Sequence, residues 1–252
     1  MTPRQLAALL FLAATWGGSF LYVRVLVDAG VEPLGVSAIR TGVGVATLLP
    51  FAVWARDQFP RDARTWLALC VLGVTNFIAP WTLVAISQQH IPSGVASIVN
   101  SAMPLWTAIF TVILLRADPL RPAQCAGLLL GFLGVVALLG DDLRHLSGDS
   151  TAGVGAMLFA TAMAGISTVS IRRWMGHVAP IALTVGQVGS AAALLLPVAI
   201  GTGAYSGVHF GLPEIASAAA VGAVGSGVAV VAFMWLIADA GAVRASVVTY
   251  VV

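Results

Sequence analysis

Apolar residues fill this chain in long blocks, broken at intervals by a charge or by proline and glycine. The blocks fall at about residues 6–26, 35–54, 66–86, 93–115, 122–140, 152–172, 180–201 and 214–237, and a ninth begins near Val243 and meets the end of the sequence at Val252. A helix needs about 20 apolar residues, rising about 1.5 Å each, to cross roughly 30 Å of hydrocarbon. Lipid offers a backbone no hydrogen-bond partner, so a spanning segment must be a helix or part of a closed barrel. The alternation of a barrel strand is absent, and such strands would be half this length. The predicted fold is therefore all-α, a polytopic transmembrane helix bundle.

The pattern also repeats. Ala96-Ser97-Ile98-Val99-Asn100 aligns with Ala245-Ser246-Val247-Val248-Thr249 at an offset of 149, and Gly73 falls on Gly222 in the same register. Gly17, Ser19 and Arg24 fall on Gly165, Ser167 and Arg172 at 148, and Leu48-Leu49-Pro50 falls on Leu195-Leu196-Pro197 at 147. Offsets that drift by one or two residues are what loop insertions produce. A period this long in a membrane chain is the mark of a transporter built from two halves. The first copy, residues 1–140, holds five predicted spans, and the second, residues 152–252, is an incomplete counterpart. An odd number of spans per copy inverts the second half relative to the first. The expectation is two inverted five-helix repeats, ten helices in all, of which about eight and a half are present. A partner for Pro104 would fall at 253, so the sequence reads as a fragment of a longer protein that ends inside helix 9. Such a fragment is expected not to transport, because its cavity would open sideways to lipid.

Charge supplies the orientation. Charged residues make up 9% and hydrophobic ones 59% of the chain, against roughly 25% charged in soluble domains. Every basic side chain is Arg. With the amino terminus inside, Arg4, Arg56, Arg61, Arg64, Arg116, Arg121, Arg172, Arg173 and Arg244 are cytoplasmic, and the outer loops hold only Arg144. That bias predicts a cell inner (plasma) membrane protein with a cytoplasmic amino terminus. The net charge of +2 carries no implication of nucleic acid, since these arginines set topology. Cys70 and Cys125 read as small packing residues rather than a disulfide. The first apolar run resembles a secretory signal in part, but it continues past Gly18 and is read as the first span.

Reactive chemistry is hard to place. All ten acidic residues fall at helix ends or in loops, and His90, His145, His177 and His209 are all in predicted loops. No pair has metal-ligand spacing. Gly17-Gly18-Ser19 and Gly165-Ile166-Ser167 look like the Gly-x-Ser of an intramembrane protease, but no His base lies in a span. No catalytic residue, cofactor or metal is expected. What remains inside the spans is polar, small or aromatic. Ser19, Asn76, Asn100, Ser167 and Thr249 would bond neighbouring helices or line a cavity, and Asn100 with Thr249 keeps a polar group at one place in both copies. Trp16, Trp81, Trp235 and Tyr250 are candidates for an apolar wall around an organic solute. Trp54 and Trp66 are expected as interfacial anchors. Arg40, about two turns into helix 2, would snorkel outward or pair with Asp28 or Glu32, and an anchoring role weighs above a substrate contact. Pro80 and Pro104 should bend or interrupt helices 3 and 4.

Trp16-Gly17-Gly18-Ser19-Phe20, Arg40, Ser93-Gly94-Val95-Ala96-Ser97 with Pro104, and Gly241-Ala242-Val243-Arg244-Ala245-Ser246 together resemble the drug/metabolite transporter superfamily, and within it the EamA-type permeases. The resemblance implies ten helices, cytoplasmic termini, and export or exchange of small metabolites across the inner membrane. A Gly-Glu step that the family often carries at the end of helix 4 is replaced here by Arg116-Ala117, followed by Asp118. The leading expectation is a secondary transporter, an exporter of a small organic metabolite or amino acid working by alternating access. It would have a small-molecule substrate, the lipid bilayer and no nucleic acid as partners, and its oligomeric state is unknown. Candidate substrate-binding residues are Trp16, Ser19, Asn76, Trp81, Asn100, Ser167, Trp235, Thr249 and Tyr250. A non-transporting membrane sensor or assembly protein is the alternative, and an intramembrane hydrolase a further one.

Overall fold

The computed structural model describes residues 2–115, 122–138 and 148–251. Arg116, Arg121, Arg144, Asp118, Asp141, Asp142 and His145, which enter the charge and site expectations, lie outside the described residues. The spans are α1 (Pro3–Asp28), α2 (Pro33–Trp54), α3 (Ala63–His90), α4 (Ser93–Leu115), α5 (Pro122–Leu138), α6 (Gly148–Trp174), α7 (Pro180–Gly201) and α8 (Leu212–Ala240). A short α9 (Ala242–Ser246) follows, continued by a 3-10 turn at Val247–Tyr250. Seven of these helices, all but α5 and α9, are long and apolar enough to cross a membrane. The fifth expected span is the difference: α5 has 17 described residues, about 26 Å at the usual rise, and its flanks are outside the described residues.

Helix starts follow local chemistry. Pro3, Pro33 and Pro180 each open a helix, where the missing N–H costs nothing and φ is already helical. Thr2 and Gln5 form a reciprocal capping box on α1, with Gln5 N–H donating to Thr2 Oγ1 at 3.3 Å and Thr2 N–H to Gln5 Oε1 at 2.8 Å. On α3, Asp62 accepts from Thr65 N–H at 2.7 Å, and these caps explain why α1 and α3 extend beyond their apolar blocks into the interfacial region. At the other end of the bundle, α8 stops at Gly241, whose φ of 90° is a conformation that a side chain disfavours. α2 and α7 start at repeat-related prolines and are both 22 residues long.

Inside α3 and α8 the helical hydrogen bonding widens to a π form, at Val74–Ile78 and Ala220–Val228. In α3 the cause is Pro80, which has no N–H and whose ring collides with the carbonyl four residues back. In α8 the Ser226 hydroxyl donates to the Val221 carbonyl at 2.7 Å, and Ala229 N–H reaches back five residues to Val224. The two π stretches lie at matching places in the two sequence copies. α4 is interrupted outright. Its first segment ends at Asn100, and Pro104 stands in the first turn of the next, which starts at Met103. The expected interruption at Pro104 is thus present.

Lipid tails are as apolar as leucine, so helices in a bilayer associate through close packing and hydrogen bonds rather than hydrophobic burial. α2 and α7 pack on each other at the centre, α8 lies on α2, and α3 lies on α7 and α6. Two repeat-related glycines permit this approach. A Cβ on Gly73 would stand 2.8 Å from the Gln187 carbonyl of α7, and one on Gly222 would stand 2.4 Å from Val43 Cβ of α2. Hydroxyls within the spans are satisfied locally: Thr41, Thr47, Thr107, Thr168 and Thr184 each donate to the carbonyl four residues earlier. Outward, Leu10, Leu21, Leu67, Leu130, Phe159 and Ile200 are exposed, as a surface solvated by lipid requires. Trp54 and Trp174 are exposed at the ends of α2 and α6, beside the arginines of that face. Trp66 donates to the Pro60 carbonyl at 2.9 Å, also at a helix end.

Candidate functional site

A cavity of about 110 Å³ lies among α1, α2, α3, α4, α6, α8 and the turn after α9. Two of its walls are helical stripes. Trp16, Ser19, Phe20 and Val23 of α1, and Phe77, Pro80, Trp81 and Val84 of α3, line it, and both sets keep the i, i+3, i+4, i+7 spacing that places residues on one helix face. Ala160, Thr161 and Ala164 of α6 and Val230, Phe233 and Met234 of α8 close the opposite side. Rings dominate: Trp16 meets Phe233 edge-on at 4.9 Å, and Phe77 meets Trp81 at 4.8 Å.

Local backbone breaks aim the polar groups. The interruption of α4 leaves Asn100 at the end of a helical segment, facing the cavity, with no hydrogen bond to its side chain among the described residues. The 3-10 turn after α9 brings Thr249 to the same cavity. Trp16 Nε1 donates to the Gly225 carbonyl at 3.0 Å, a carbonyl within the π stretch of α8. Asn76, in the π stretch of α3, donates to Gln187 Oε1 at 3.3 Å. Ser19, Thr161 and Thr249 turn their hydroxyl protons to backbone carbonyls at 2.9, 2.8 and 2.9 Å, so their oxygens face the cavity as acceptors.

Of the expected residues, Trp16, Ser19, Asn76, Trp81, Asn100 and Thr249 line the cavity. Three do not reach it. Ser167 donates to Thr75 Oγ1 at 3.1 Å in the α6–α3 contact. Trp235 packs against the main apolar core. Tyr250 points to α5, where its hydroxyl donates to the Leu128 carbonyl at 3.0 Å. The sequence did not single out Phe77, Thr161 or Phe233: Phe77 keeps helical spacing with Trp81, whereas Phe233 is two residues from Trp235 and Thr161 six from Ser167.

Arg40 occupies a different place from the one its sequence position suggested. It neither snorkels nor pairs with Asp28, whose carboxylate is taken by Arg24 at 2.8 Å. Its guanidinium instead borders the cavity, with Cζ 3.9 Å from the centre of the Trp81 ring. Nε donates to Ser226 Oγ at 3.2 Å. No acidic side chain reaches it among the described residues. Holding an arginine at the centre of a span costs about 2.5–3.5 kcal/mol on insertion scales. Cation–π contact offsets about 0.5–2 kcal/mol of that.

Seven membrane-length helices, six of which line a small aromatic cavity, define the class, a polytopic membrane protein. Residues 5–140 match the EamA-like transporter family, and the chain belongs to that family. A protein described as a "Probable terminal-alkyne amino-acid exporter" from Streptantibioticus cattleyicolor is 26% identical over 257 residues, covering 91% of this chain and 84% of that protein. The inner membrane transporter YedA of Escherichia coli strain K12 is 26% identical over 251 residues, covering 97% of this chain and 78% of YedA. An Archaeoglobus fulgidus transporter is 23% identical over 169 residues, a stretch spanning 67% of this chain but only 58% of that protein's length. A crystal structure 21% identical to this chain superposes with a TM-score of 0.65 over 96% of it and 85% of the other, which shows the fold.

Proposed function

We propose that this protein is a secondary transporter that exports a small organic metabolite or amino acid by alternating access. The observation that supports this most is the cavity itself, lined from both sequence copies and closed by Asn100 and Thr249 at matching positions. Its volume, about 110 Å³, is below the ~150 Å³ of an engineered cavity that takes benzene and suits a solute of a few heavy atoms. Aromatic walls suit an apolar body, and the acceptor oxygens of Ser19, Thr161 and Thr249 suit an ammonium group. Similarity to a protein described as an amino-acid exporter points the same way.

The proposed machinery is two inverted repeats, residues 1–140 and 152–252. Hydrogen bonds that recur at matching positions support it. Arg24 of α1 donates to the Gln88 carbonyl near the end of α3 at 2.9 Å, and Arg172 of α6 to the Ile237 and Ala238 carbonyls near the end of α8 at 3.5 and 2.6 Å. Arg40 bonds Ser226, and its counterpart Gln187 bonds Asn76. In an inverted repeat such paired contacts lie on opposite halves of the membrane, so one set can open while the other holds. The arginine bias supports a cytoplasmic amino terminus in a cell inner membrane.

Purified full-length protein in lipid vesicles tests the proposal with a panel of labelled amino acids and small carboxylic acids. Vesicles preloaded with an unlabelled panel member should transiently concentrate its label, since a carrier exchanges solute and a channel only equilibrates it. No saturable flux of any member would defeat the transporter reading. In the same vesicles an impermeant thiol reagent should modify Gln58→Cys, on the exposed turn between α2 and α3, only from the face that carries Arg56 and Arg61.

A further inference from the structure

The geometry points to Arg40 as the receptor for a carboxylate on the transported solute. This rests on the transporter reading above and adds the chemical class of solute and the group that selects it. Arg40 is 6% exposed, deep in a span, yet it borders the cavity rather than water or a headgroup. One of its five N–H groups is engaged, by Ser226, and the remaining ones make no hydrogen bond among the described residues. A guanidinium keeps its proton and can only donate. An unused, preorganised fork of donors in a low-dielectric cavity calls for a planar anion, and a carboxylate matches it in two parallel bonds.

The surroundings sharpen the choice. Ser226 and Trp81 hold the guanidinium from two sides, at 3.2 Å to the hydroxyl and 3.9 Å to the ring centre, so little freedom remains to be lost on binding. Ser226 is itself fixed by the Val221 carbonyl, inside the π stretch of α8. Asn100 adds a cavity-facing amide without a partner among the described residues. Among the described residues no acidic side chain lines the cavity, so an incoming carboxylate meets no competing or repelling charge from them. Apart from Ser19, Asn76, Thr161 and Thr249, the rest of the lining is apolar or aromatic. The solute class is therefore a small carboxylic acid with an apolar body, α-amino acids with apolar side chains included.

Matched acid and amide pairs in proteoliposomes test this, with alanine against alaninamide and propionate against propionamide as probes small enough for the cavity. The native protein should carry at least one acid at least tenfold faster than its amide. In Arg40→Gln that preference should fall below threefold, and Arg40→Lys, which keeps the charge but not the planar fork, should lie between. A purely structural role for Arg40 would lower both rates and leave their ratio intact. Should the glutamine variant fail to fold, thermal unfolding of the native protein in detergent decides: the acid should raise the midpoint and its amide should not. Amides carried, or stabilising, as well as their acids would overturn the assignment of Arg40 while leaving a transporter of neutral solutes standing. Absence of flux for every acid and amide would instead defeat the transport reading on which the assignment rests.

Discussion

Trp16 shows how one side chain joins sequence, packing and site. Its ring is part of the cavity wall, and its Nε1 holds the Gly225 carbonyl at 3.0 Å. In hydrocarbon an unpaired carbonyl has no water to turn to. Trp16→Phe keeps the aromatic wall and removes only the donor, so it should cost about 1 kcal/mol of stability. Trp16→Ala also empties the space beside Phe233 and should cost about 3–5 kcal/mol. Thermal unfolding in detergent of the two variants checks the ranking, and equal losses would mean that the hydrogen bond carries the whole effect. The same scale explains what the sequence hid. Successive helical residues turn by about 100°, so Trp235 and Tyr250 miss the cavity while their neighbours Met234 and Thr249 line it. Lipid and cavity are both apolar, so no polar stripe tells the two faces of α1 or α3 apart. Arg40 was visible as a charge in a span, but its partners Trp81 and Ser226 lie on α3 and α8, and sequence spacing carries no sign of that meeting.

At the scale of the elements, residues that match between the two sequence copies perform matching packing tasks. Gly73 and Gly222 each seat a widened helix against a central one, α3 on α7 and α8 on α2. Gly73→Ala and Gly222→Ala should each lose about 1–3 kcal/mol through overpacking. Gly127→Ala in α5, where an added Cβ meets nothing within 4 Å, should leave stability unchanged or raise it slightly. Unfolding midpoints of the three variants test this, and a neutral Gly222→Ala would mean that α2 and α8 can separate freely. The proline positions foretold the interruption of α4 and the disturbance in α3. The π stretch of α8 was not foretold, because it depends on the Ser226 hydroxyl and a run of small residues rather than on a proline. Ser167 was expected in the cavity by analogy with Ser19. Each sits where its helix meets a π stretch, Ser167 on Thr75 at 3.1 Å and Ser19 beside Gly225, but only the α1 contact borders the open space.

For the whole molecule, the bundle brings groups from most of its helices to one small chamber, and transport requires that this chamber be the path. Ser19 is the residue on which to test it, being buried at the chamber wall with a small side chain that cysteine can replace. Ile109, exposed on the outer surface of α4, is the matched control. In vesicles made from protein with Cys70 and Cys125 replaced by alanine, a polar thiol reagent should modify Ser19→Cys and stop counterflow of the panel amino acid that the native protein carries. Saturating unlabelled amino acid should slow that modification severalfold, and Ile109→Cys should show neither effect. Counterflow that persists after complete modification of position 19, or a modification rate indifferent to the amino acid, would contradict the account.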